Sequence, residues 1–75
     1  MSRLTMEQVR EAASSSWTVM ADTGTILSVG RGRKAMQVSF AEDGRFVHAS
    51  FTVGLDGMAQ SLIEPMVIPE LTSDE

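Results

Sequence analysis

The chain has no cysteine and a single histidine, His48. Disulfides are therefore excluded, together with the thiolate and histidine cages that hold most structural zinc. No cofactor and no metal are expected. No apolar run approaches the roughly 18 residues of a membrane-spanning helix. The opening MSRLTMEQVR is charged early and offers no apolar signal-peptide core, which makes a cytoplasmic protein without membrane contact the expectation. Positive charge is scarce as well. Six Lys and Arg stand against ten Asp and Glu, a net charge of −4, and an acidic balance argues against general affinity for nucleic acid.

What is present must make a small core suffice. Seventy-five residues allow one domain, and a chain of this size buries only about 60% of the surface its unfolded form exposes. With disulfides and metals excluded, self-association is the remaining remedy, so a homodimer is expected. Glu70, Asp74 and Glu75 gather in the ending ELTSDE, leaving residues 1–69 with a net charge of −1. The expected organisation is one α+β domain over 1–69 and a flexible, disordered acidic tail over 70–75.

Local signals divide the domain. Thr5 followed by Gln8 is a capping box, and Leu4 with Val9 makes a hydrophobic staple around it. Met6, Val9 and Ala13 recur at helical spacing, so a helix is predicted over 6–15, ended by the serines at 14–16. From Trp17 the apolar period becomes two. Four strands are predicted, over 17–21, 25–29, 34–41 and 45–53, with turns at Asp22-Thr23-Gly24, Gly30-Arg31-Gly32-Arg33 and Asp43-Gly44. These turns set Val19 against Leu27, Trp17 against Val29, Leu27 against Met36, Phe40 against Val47, Val38 against Ala49 and Met36 against Phe51. One face of the antiparallel meander then collects those residues and Val53, and should receive the N-terminal helix. The other face is small and polar, with Met20, Ile26 and Phe46 as apolar exceptions. After Gly54 a short C-terminal helix or strand is expected. Asp56 would cap a helix over 57–64 that Pro65 stops. Met66-Val67-Ile68 would then dock on the open sheet face, extend an edge or reach into a neighbouring subunit.

The chain offers little chemistry. Asp22-Thr23-Gly24, led by Val19-Met20-Ala21, resembles the signature of retroviral-type aspartic proteases, in which two chains each give one Asp to a shared proton. The likeness covers three residues and their apolar lead-in. It departs from that family in length, in the missing later apolar-apolar-Gly motif and in Thr25, and hairpin chemistry accounts for the same residues. Ser39 and His48 become cross-strand neighbours, but no carboxylate on that stretch can orient the histidine. GRGRK, residues 30–34, lacks both the Walker ending and a third spaced glycine, and it leads into a strand. No catalytic residue is assigned.

Binding is the remaining theme. Arg31, Arg33 and Lys34 carry half of the positive charge within four positions. Such a loop suits a contact with an acidic protein surface. It equally reads as a plain solvated hairpin tip guarding against edge pairing, and a finger into a nucleic-acid groove is the third explanation. Met20, Ile26 and Phe46 form the candidate dimer or partner patch, and His48 on the same face would make such an interface pH-sensitive. The resulting expectation is a non-enzymatic, homodimeric protein-binding module. In brevity it is similar to the small accessory and inhibitor proteins of phages and other mobile elements. A weak nucleic-acid-binding accessory working through the 30–34 loop is the alternative.

Overall fold

The capping box forms as its spacing predicts: the Gln8 N–H donates to Thr5 Oγ1 (3.2 Å) and the Thr5 N–H donates to Gln8 Oε1 (3.0 Å). In this computed structural model, which describes residues 3–54 and 57–73, the box opens helix α1, Met6–Ala13. Leu4, Val9 and Ala13 are buried. The helix stops before the serines, because the Ser14 hydroxyl turns back onto the Glu11 carbonyl (2.8 Å).

Five strands follow rather than four: β1 Thr18–Asp22, β2 Ile26–Arg31, β3 Lys34–Phe40, β4 Phe46–Val53 and β5 Gln60–Leu62. They form one antiparallel sheet in chain order. Between β3 and β4 the expected register holds for Val38–Ala49 and Met36–Phe51. At the turn it slips by one. The loop is Glu42-Asp43-Gly44, closed by Ala41 and Arg45, with Gly44 at φ 93°. Phe40 therefore pairs with Phe46, and a bulge at Val47 restores the register at His48. This corrects two assignments. Phe46 joins the core side, edge-on to Phe40 with ring centroids 6.1 Å apart, and Val47 is exposed.

Between β2 and β3, Leu27 meets Val38 and Val29 meets Met36, a shift of two that keeps every face assignment. The turn is only Gly32-Arg33, with Gly32 at φ 61°. Between β1 and β2 the turn lies at Gly24-Thr25, closed by the Thr23 N–H on the Ile26 carbonyl (3.0 Å), not at residues 22–24. Val19 then meets Val29, Ala21 meets Ser28, and Met20 is the extra residue of a bulge. Trp17 is buried but lies just before β1, while Val19 and Val53 are exposed.

The C-terminal reading needs the largest correction. The segment expected to be helical pairs as β5, Leu62 against Ala49 and Ser61 against Ser50. The helix, α2, is Glu64–Leu71. Pro65 starts it instead of stopping the one before, because a first-turn proline lacks only an N–H that would have no partner anyway. Asp56, the expected cap, lies outside the described residues. Residues 70–73 are not a loose tail: Leu71 is completely buried. Asp74 and Glu75 lie outside the described residues.

Both helices cover the same sheet face. The core runs from Leu4, Val9, Ala13 and Trp17 through Leu27, Val29, Met36, Val38 and Ala49 to Leu62, Val67 and Leu71. Two side chains meet the C-terminal end of α2, whose last carbonyls have no partner within the helix. Trp17 Nε1–H donates to the Leu71 carbonyl (2.9 Å), and Arg31 Nη1–H donates to the Ser73 carbonyl (2.8 Å). Among the described residues no helix is long and apolar enough to cross a membrane.

Candidate partner-binding face

With both helices on one side, no described helix or strand covers the other sheet face. Register places three cross-strand rows on it: Thr18–Gly30–Ala35–Thr52, then Ala21–Ser28–Gln37–Ser50–Ser61, then Ile26–Ser39–His48. The middle row is knitted by the Ser28 hydroxyl donating to Gln37 Oε1 (3.4 Å).

At the first row the face is indented. Gly30 has no side chain, and the bulged Met20 folds over it, its sulfur 2.9 Å from where a Gly30 Cβ would stand. Around them lies a hollow of about 450 Å³ bordered by Met20, Gly30, Arg33, Lys34, Ala35 and Gly54. Met20 is 70% exposed, so its thioether is an adaptable apolar rim. The Gly54 N–H donates to the Arg33 carbonyl (2.7 Å), which ties the tip to the end of β4. Two expected features, the basic loop and the apolar outer residues, thus meet at one place.

They do not meet completely. Arg31 is half-buried and turned toward the end of α2. Ile26 and His48 share the outer face but sit in the third row, four residues along the strand from Gly30 and therefore roughly 13 Å away. Phe46 has left the face. Ser39 and His48 are the cross-strand neighbours expected. Alternation identifies the face, but not Gly30, Ala35 and Gly54 as its hollow: their contribution is the absence of bulk, and a bulge was needed to lay Met20 above them.

No described carboxylate belongs to these three rows, and Arg10 and Arg45 pair with two of the carboxylates elsewhere. The described carboxylates lie on α1 (Glu7, Glu11), on α2 (Glu64, Glu70), in the β3–β4 loop (Glu42, Asp43) and at Asp22. Asp22 is the acid of the Asp-Thr-Gly triplet, and it is fully engaged. Arg10 Nε–H and Nη2–H donate to its two oxygens at 2.9 and 3.0 Å, and the Gly24 N–H donates to Oδ1 at 2.9 Å. The Arg10 hydrogen bond, followed by that from Gly24, holds the Asp22 carboxyl below its ordinary value. A shared-proton acid needs the opposite, a carboxyl raised by a like charge.

A second concavity, of about 900 Å³, lies between the helices, with Leu4, Ala12 and Ile68 below and Glu7, Glu11 and Glu64 at its rim. The Leu4 N–H donates to Glu64 Oε2 across it (2.9 Å). The sequence gives no signal for it, because one wall is a helix that its prolines disguise. Among the described residues no three His, Asp or Glu side chains gather to hold a metal ion. Comparison of the chain with protein-family models, with curated proteins and with solved structures returned no match to any of them.

Proposed function

We propose that the chain is a non-enzymatic protein-binding module that engages an acidic protein surface through the outer face of its sheet, around the hollow bordered by Met20, Arg33 and Lys34. The carrying observation is that the face rows hold no carboxylate, while an adaptable thioether and the Arg33 guanidinium border one hollow to which Lys34 gives its backbone. Arginine and methionine are both enriched at interface cores. The accessory or inhibitor role, as in small phage and mobile-element proteins, suits a single domain whose binding surface is one sheet face.

Binding to protein is favoured over binding to nucleic acid because Arg31 is engaged at α2. The one tip cation left at the hollow, Arg33, would neutralise few phosphates, giving weak and strongly salt-dependent affinity.

The test is affinity capture with wild type, an Arg33→Glu/Met20→Glu variant and an Arg31→Ala control. Loss of the captured proteins with the first variant, and retention with the control, supports the reading. Equal capture by all three overturns it, as does a gel shift of duplex DNA at low salt that Arg33→Glu abolishes.

A further inference from the structure

Three residues without side chains, Gly30, Gly32 and Gly54, border the hollow of the outer face, and Ala35 adds only a methyl group. The floor is therefore nearly bare backbone. Its walls are two long side chains. The Met20 sulfur lies over Gly30, and Arg33 Nη2 stands 3.5 Å from where a Gly54 Cβ would be. Among the described residues no carboxylate pairs with Arg33.

These parts select what fits. Gly30 lies on β2 and Gly54 directly follows β4, so the two are separated across the sheet by two strand spacings, roughly 10 Å. A helix with its side chains is about 10–12 Å wide, so the hollow takes one side chain and not a whole element. A cavity of about 150 Å³ already accepts benzene, and this one, at about 450 Å³, has room for a single or fused ring. Both walls favour a ring over an aliphatic group of the same size. A thioether is attracted to an aromatic edge, and a guanidinium to an aromatic face. An aliphatic side chain would gain the burial and neither attraction. Charge selects as well. The face rows hold no carboxylate, and a guanidinium that stacks on a ring still offers its N–H fork to an acid.

We infer that the hollow is a socket for one aromatic side chain of the partner, flanked in the partner's sequence by an Asp or Glu that pairs with Arg33. The inference rests on the reading of this face as a protein-binding surface, and it names the partner's anchor. Aromatic residues seated in pockets carry much of the affinity at protein interfaces.

The experiment titrates the purified chain with four small probes and follows its amide chemical shifts by NMR. Indole-3-propionate carries a ring and a carboxylate, cyclohexanepropionate the carboxylate without an aromatic ring, and tryptamine the same ring with a cation. Adenosine monophosphate carries a nucleobase and a phosphate. Indole-3-propionate should shift the amides of residues 20, 30, 32, 33, 35 and 54 saturably, at millimolar concentration. Cyclohexanepropionate and tryptamine should each bind about fivefold more weakly or worse, having lost the ring attraction or the charge pair. Arg33→Gln should weaken indole-3-propionate by a similar factor, and Gly30→Ala, which fills the floor, should weaken it too. Should either variant fail to fold, the ranking of probes on wild type decides. Cyclohexanepropionate or tryptamine binding as tightly as indole-3-propionate overturns the inference. So do tighter binding of adenosine monophosphate, shifts that map to another surface, and no shifts at all. A folded Arg33→Gln chain that binds like wild type overturns it as well. Each of these results leaves the protein-binding reading to the capture experiment, and failure of capture would leave the probe ranking unchanged.

Discussion

The Met20 sulfur fills the space that a β-carbon on Gly30 would occupy, 2.9 Å from its ideal position. The pair makes a bulge on an edge strand and a glycine on the next into one feature. Because the blocking atom is near the end of a flexible side chain, a small group added at 30 displaces it instead of straining the sheet.

Gly30→Ala should therefore leave stability within about 1 kcal/mol of wild type, the lost unfolded-state freedom of glycine offsetting the displaced methionine. The urea midpoint measures this. Partner capture should nonetheless weaken, since the hollow is filled. Gly32→Ala is the contrast: at φ 61° a Cβ is strained, and the cost should be about 1–2 kcal/mol. Equal destabilisation by the two would show that the hollow's geometry has been misjudged.

Trp17 should tolerate phenylalanine poorly. The indole N–H satisfies the Leu71 carbonyl at a buried site, and an acceptor left without its donor costs about 1–3 kcal/mol. Trp17→Phe should lose that much in urea unfolding, and Trp17→Ala about 3–5 kcal/mol through the added cavity. Equal stabilities for Trp17→Phe and wild type would remove the bond from the account.

Acid should selectively weaken the α1–β1 tie. Asp22 is held below its ordinary 3.8, first by the Arg10 hydrogen bond and then by the Gly24 N–H. A folded value below the unfolded one gives stabilisation that is complete above the ordinary carboxylate range and lost as pH falls toward the lowered folded value. Asp22→Asn should be slightly less stable than wild type at neutral pH, with the two curves converging below pH 3.8. The gap is modest because both side chains face water. Thermal melts across the acid range check the convergence, and a gap that widened in acid would contradict it.

Leu71 tests whether the chain's end belongs to the core. It is completely buried, so Leu71→Ala should cost about 2–5 kcal/mol. That is a large part of the roughly 4–11 kcal/mol a domain of this length holds. A loose tail would lose nothing measurable.

The elements legible in the sequence were those with redundant local signals. The first helix carried a cap, a staple and a periodic stripe, and the central hairpin carried three apolar pairs that only one parity satisfies. Bulges defeated the finer reading. At Val47 an extra residue absorbed a one-residue error in the turn and exchanged the places of Phe46 and Val47, and at Met20 another put Asp22 on the helix side, within reach of Arg10. Alternation cannot show an insertion that keeps the pattern intact on either side. Strand β5 offered one core residue, Leu62, too few to establish a period, and proline at the start of α2 reads locally like a stop. The partner face was half legible: its polarity followed from parity, and the meeting of Met20 with the basic tip did not.

Each strand of this sheet finds its partner immediately before it in the chain, whereas the bonds that fasten the helices span far more: 60 residues from Leu4 to Glu64 and 54 from Trp17 to Leu71. Short loops close at little entropic cost and long ones at more. The ribbon of strands can thus assemble by successive small reversals, with α1 close by in the chain, but the cover of its apolar side is complete only when α2 docks and the Leu71 carbonyl meets the indole N–H. The single tryptophan is a built-in reporter of that last event, and its fluorescence should change with the latching of the helix rather than with the zipping of the strands.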